Sequence, residues 1–139
     1  MIVLDTNVIS ELTRPAPAVA VLAWLDSLVA AEVATTAVTA AELRYGVARL
    51  PRGQRRTRLE TAVDGLLSED FAGRILAFDE HAARCYAEVA VARERIGRPI
   101  GTADGQIAAI CSTVGGMLAT RNVAGFEKTG IELINPWQL

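Results

Sequence analysis

The run Ile2-Val3-Leu4-Asp5 places an acid directly after three apolar residues, where a carboxylate needs a partner to stay charged. Two more acids occupy comparable settings. Glu42 follows the short run Val33 to Thr36 at the start of a helical segment, and Asp104 follows Thr102 at the start of another. Thr6, Asn7, Thr102 and Thr120 supply neutral hydrogen-bonding groups beside them. Carboxylates delivered to one place disfavour each other's ionisation, so one takes up a proton or a cation enters. Oxygen donors of this kind suit Mg²⁺ or Mn²⁺, hard ions that keep several waters and also bind phosphate. Such an ion could acidify a water for in-line attack on phosphorus, and the positive ends of the adjoining helices would favour charged acids.

Each residue also has a structural role open to it. Thr39-Ala40-Ala41-Glu42 has the form of a capping box, in which the glutamate turns back to its own helix. Asp104 could serve the helix dipole alone, and Asp5 a turn. Asx turns and caps are open to Thr6, Asn7 and Thr102.

The elements that would position these groups alternate along the chain. Ile2 to Leu4 reads as a central strand buried on both faces. A short helix from Val8 to Thr13 is broken by Pro15 and Pro17, and a second is expected over Ala18 to Val29. Val33 to Thr36 suits a strand. A helix follows from Thr39 to Leu50, then a turn at Pro51 and Gly53 and a helical segment to Leu67. Arg74 to Phe78 is the next strand, Asp79 to Ile96 a long helix stopped by Gly97 and Pro99, and Ala103 to Val114 a helix capped by Thr102 and ended at Gly115-Gly116. Met117 to Ala119 and Ile131 to Ile134 complete the strands, the last at an edge. The alternation predicts an α/β fold, a mostly parallel four- to five-stranded sheet with helices on both faces. In such folds ligands gather beyond the carboxyl ends of the strands, near a switch in strand order.

Composition bounds the rest. The 139 residues are expected to form one domain over residues 1–139, and a 51% apolar content supports a core without disulfides. Fourteen basic against sixteen acidic residues give a net charge of -2, so any attraction for nucleic acid must be local. Arg44, Arg49, Arg52, Arg55, Arg56 and Arg58 form such a local group, either as RNA-phosphate contacts or as a solvated helix face. Cys85 and Cys111 read as buried free thiols of a cytoplasmic protein. Together with the one histidine, His81, they cannot build a zinc site from cysteine and histidine alone. The first residues lack the basic region and long apolar stretch of a signal peptide, and no apolar run has membrane-spanning length, so no membrane partner is expected.

Four ordered segments carry a resemblance: the start through Ser10, Thr39-Ala40-Ala41-Glu42-Leu43-Arg44-Tyr45-Gly46, Thr102-Ala103-Asp104-Gly105-Gln106-Ile107-Ala108-Ala109, and Leu118-Ala119-Thr120-Arg121-Asn122. With the terminal Ile134-Asn135-Pro136-Trp137, they resemble the PIN-domain family, most of all its VapC and FitB-like toxins, over nearly the whole chain. The resemblance implies a Mg²⁺- or Mn²⁺-dependent endoribonuclease toxin of a toxin–antitoxin pair. Asp5, Glu42 and Asp104 would be its acidic metal-site residues, and Thr6 and Thr102 pocket hydroxyls. It further implies a homodimer, a small cognate antitoxin whose tail covers the pocket, and operator DNA bound through the antitoxin only. Family members commonly carry a further carboxylate after the fourth strand, where this chain has Asn122 and, three residues on, Gly125. Asn122 offers the ion a neutral carbonyl instead. A second reading is therefore a catalytically impaired PIN-like protein acting through antitoxin and nucleic-acid binding. An aspartyl-nucleophile phosphatase would need a second aspartate where Asn7 stands, and a Rossmann nucleotide site a glycine-rich turn where Asp5-Thr6-Asn7 stands.

Overall fold

The computed structural model describes residues 1–139. Five short strands, β1 (Ile2–Leu4), β2 (Val33–Thr36), β3 (Ile75–Leu76), β4 (Met117–Ala119) and β5 (Glu132–Ile134), form one parallel sheet in the order β3-β2-β1-β4-β5. Seven helices connect them: α1 (Thr6–Leu12), α2 (Val19–Asp26), α3 (Ala37–Ala48), α4 (Gln54–Gly65), α5 (Glu80–Arg95), α6 (Thr102–Thr113) and α7 (Val123–Phe126). This is the α/β architecture expected from the alternation.

Both faces of the sheet are covered, and the two-residue period of a strand sorts its side chains between them. Leu4 and Ala119 join Val8, Ile9, Val21, Leu43, Val63 and Phe71 on the side of α1 to α4. Val3 and Leu118 pack with Ile107, Ala108, Cys111 and Phe126 on the other. Few aromatic residues are present, so the layers close through small side chains. Gly105 illustrates the tolerance: a Cβ there would lie 2.8 Å from the Tyr86 ring, which lets α5 and α6 approach closely.

The central strand sets the function-bearing geometry. From β1 the chain winds outward through β2 and β3, then returns to the other side of β1 as β4 and β5. The order therefore reverses between β1 and β4, and a crevice opens beyond their carboxyl ends at Asp5 and Thr120.

Several boundaries differ from expectation for local reasons. Asp5 is itself the cap of α1, its Oδ1 accepting from the Thr6 N–H at 2.8 Å, so the helix starts at Thr6 rather than Val8. The cap of α3 is Thr36, whose hydroxyl accepts from the Thr39 N–H at 3.0 Å. The capping box at Thr39 and Glu42 is thus overturned: Glu42 lies in the second turn, where no free N–H awaits it. Gly101, not Thr102, precedes α6 as its cap, without a side-chain bond. Helix α2 ends at Asp26, where the Ser27 hydroxyl bonds back to the Trp24 carbonyl. A wider π-type turn over Leu66–Asp70 follows α4, and β3 keeps only two residues of the run from Arg74 to Phe78. Helix α7 has no periodic signal in its four residues and was not expected. Cys111 is buried, whereas Cys85 is only half-buried. No helix is long and apolar enough to cross a membrane.

Candidate acidic site at the switch point

Asp5 is buried at the floor of the crevice, 5% exposed, and its carboxylate is tied down on both oxygens. Its Oδ2 accepts from the Thr120 hydroxyl at 2.7 Å, which spans the switch from β4 to β1, and from the Asn7 amide at 3.3 Å. Asn7 is oriented in turn because its Oδ1 accepts from the Arg121 N–H at 3.1 Å. The acid thus has one rotamer and one direction. Burial raises the Asp5 carboxyl above the usual carboxylate range of 3.8; the bonds from Thr120, Thr6 and Asn7 oppose this, and the charge of Glu42 adds to it.

Asp104 enters from the first turn of α6 on the other side. Its carboxyl is also raised, first by burial and then by the charges of Asp5 and Glu42, with Arg93 acting against them. Glu42 is exposed, and its Oε1 accepts from the Thr6 hydroxyl at 2.7 Å. That same hydroxyl lies 3.1 Å from the hydroxyl of buried Thr39, so Thr6 sets the height of Glu42 over the pocket.

All three acids line one open cleft of about 500 Å³ with no apolar lining residue. They share its field without closing on a point: no three acidic, histidine or cysteine side chains form a ready cage for an ion. The donor set nevertheless fits a hard cation. Mg²⁺ keeps much of its water and is commonly held by one or two carboxylates rather than by an all-protein cage. Two carboxyls already pushed toward protonation by burial and like charge meet that requirement, and six waters of about 30 Å³ each fit within the cleft.

The remaining expected residues divide. Thr6 and Asn7 line the cleft, and Thr120 lies buried beneath Asp5. Thr102 is exposed at the first residue of α6 and does not line it, against the expectation of a pocket hydroxyl. Asn122 is at the rim, but its Oδ1 caps α7 by accepting from the Gly125 N–H at 3.2 Å. It is correspondingly the poorest oxygen for an ion. The two positions after β4 are also sterically coupled: a Cβ on residue 125 would come within 2.9 Å of the Asn122 Cγ.

None of the clustered arginines lines the acidic cleft. Arg44 pairs with Asp64 at 2.6 Å, both exposed, and lines a separate cleft with Arg56 and Glu60 between α3 and α4. Arg49 stacks over the Tyr45 ring at 5.5 Å, while Arg52, Arg55 and Arg58 are exposed. Sequence reasoning missed Ser10, Glu11 and Arg14, which line the acidic cleft. Ser10 and Glu11 lie three and four residues after Asn7 on α1, a helical spacing that would have disclosed those two had α1 been started at Thr6, whereas Arg14 lies beyond the helix and carries no such signal.

The PIN-domain family model matches residues 2–132. The chain is 46% identical over 138 residues to the VapC ribonuclease Y4jK of Sinorhizobium fredii, covering 99% of each. It is 44% identical over 137 residues to the toxin FitB of Neisseria gonorrhoeae, again covering 99% of each. In structure it is similar to a chain of FitAB bound to an IR36 DNA fragment, with a TM-score of 0.93 at 43% identity, covering 100% of this chain and 97% of that one. The chain belongs to the PIN-domain family, among its toxins of the VapC and FitB type.

Proposed function

We propose that this toxin is an endoribonuclease that hydrolyses RNA phosphodiester bonds with a Mg²⁺ or Mn²⁺ ion held by Asp5 and Asp104. Glu42 stands beside them, and Asn122 at most contributes a neutral oxygen. The observation that carries the reading is the pair of burial-raised carboxyls facing one polar cleft at the switch point, in a chain nearly half identical to a VapC ribonuclease. When bound, the ion supplies Lewis acidity toward the phosphodiester and lowers the pKa of a water beside it. The chain's own groups do the rest. Thr120, Asn7 and Thr6 hold Asp5 in one orientation. Glu42 Oε2 has no protein partner and is free to take the proton of the attacking water, while Thr6 fixes Oε1. The arginines in and between α3 and α4 lie outside this cleft and would carry flanking phosphates of the RNA.

The partners follow from the relatives. Their structures include a FitAB complex on DNA, and we infer for this chain a cognate antitoxin, operator DNA contacted through that antitoxin, a homodimeric assembly and a place in the cytoplasm. Purified protein freed of antitoxin should cleave RNA with Mg²⁺ or Mn²⁺ and cease on chelation. Cleavage indifferent to chelation would overturn the metal role, and RNA binding without cleavage would favour the impaired reading that Asn122 suggests.

Asn122 permits a separate check. Asp at this position can still cap α7, so Asn122→Asp should leave the fold intact and add a charge to the rim. Mn²⁺ affinity measured by calorimetry should rise about tenfold, the scale on which groups around a metal tune it. Unchanged affinity would show that residue 122 does not serve the site.

A further inference from the structure

Resting on the ribonuclease reading, we propose that Arg14 contacts a phosphate of the RNA strand, positioned for it by Glu11. The cleft is lined by four carboxylates, Asp5, Glu11, Glu42 and Asp104, and by one cation, Arg14. A polyanion approaching them needs a local positive group, and the arginines of α3 and α4 stand outside this cleft. Glu11 and Arg14 form an unequal pair: their side chains are 6% and 65% exposed, with Arg14 Nη1 3.3 Å from Glu11 Oε1. The other oxygen of Glu11 accepts from the Ala18 N–H at 2.8 Å, which anchors the carboxylate to the chain beyond Pro15 and Pro17.

An ion pair with one partner so exposed contributes little to stability. Its geometry does something else. One arm of the guanidinium is restrained at the mouth of the cleft, while Nε and Nη2 have no protein partner. A planar fork with free donors suits a phosphate bidentately, which an ammonium would not match. Arg14 is therefore a substrate-contacting residue, and Glu11 a positioning residue that acts through it.

The test uses Arg14→Ala, Arg14→Lys and Glu11→Gln in the full chain. Binding of a labelled single-stranded RNA oligonucleotide in EDTA, followed against salt, should lose about 0.7 from its slope in Arg14→Ala, the share of one phosphate contact on a single strand. Arg14→Lys should regain the slope, and Glu11→Gln, which keeps an oxygen for Ala18, should keep the slope with weaker binding. In Mg²⁺ or Mn²⁺, Arg14→Ala should lower kcat/KM roughly tenfold, mostly through KM, with Tm unchanged. A wild-type salt slope in Arg14→Ala overturns the proposal, whether kcat/KM is retained or falls together with Tm. A change confined to antitoxin affinity overturns it in favour of a protein contact. Failure of the wild type to cleave any RNA would instead strike the ribonuclease reading, and the slope in EDTA still decides the role of Arg14.

Discussion

Asp104→Asn should abolish RNA cleavage, by at least about a hundredfold, while making the metal-free protein more stable. The two effects have one cause. Asp104 accepts no side-chain hydrogen bond that fixes it, and its carboxyl is raised by burial and by the charges of Asp5 and Glu42. Between the ordinary value of 3.8 and the raised folded value, the folded state holds this proton more tightly than the unfolded chain does. Unfolding free energy therefore falls as pH rises through that window, and above it the full cost of the ionised acid is present. An amide of the same shape removes that cost. At neutral pH in EDTA the variant should melt above wild type. Lowering the pH into that window should narrow the gap. Adding Mn²⁺ should raise the Tm of wild type and leave that of the variant nearly unmoved, because binding to the folded state alone is what shifts the equilibrium. A destabilised metal-free variant would mean that Asp104 is a structural acid.

Removing Arg93 should produce the largest loss of stability of any surface-adjacent charge. The residue is 4% exposed at the end of α5, and its bonds are to main-chain carbonyls alone. Nε donates to Arg98 at 2.6 Å, and Nη1 donates to Gly125 and Glu127, both at 3.0 Å. One side chain thus clamps the turn after α5 to the segment around α7. Arg93→Ala would leave three main-chain carbonyls without their donor, costing about 1–3 kcal/mol for each one that no water reaches. Chemical denaturation should show it as a lower midpoint with an unchanged slope. Arg93 also opposes the rise of the Asp104 carboxyl, so its loss should raise that carboxyl further and weaken the ion site. If Arg93→Ala loses under 1 kcal/mol, the clamp is not a stabilising contact.

The sheet was legible because a parallel strand buried on both faces is a short run of apolar or β-branched residues, and Ile2 to Leu4, Val33 to Thr36 and Met117 to Ala119 stand out as such. Asp5 was legible for the same reason, since a polar residue directly after such a run lies at the sheet rim, whereas Glu42 and Asp104 showed only as acids near helix starts. Their depths were not. Asp5 is buried and Glu42 exposed because α3 is capped by Thr36, and both Thr36 and Thr39 stand where a cap could. Helix α7 is too short to show a period, so the use of Asn122 as a cap could not be read from its identity. Arg93 lies in Arg93-Glu94-Arg95, which has the look of a solvated helix end, and only the fold of residues 98–127 around it makes it a core residue.

The central claim is that the carboxylates at the end of β1 and the start of α6 hold one divalent ion between them. Crystals grown with Mn²⁺ test it through the anomalous signal of the metal. A peak is expected about 2.1 Å from oxygens of both Asp5 and Asp104. No peak in that crevice at saturating Mn²⁺, or a peak bound by neither side chain, would contradict it.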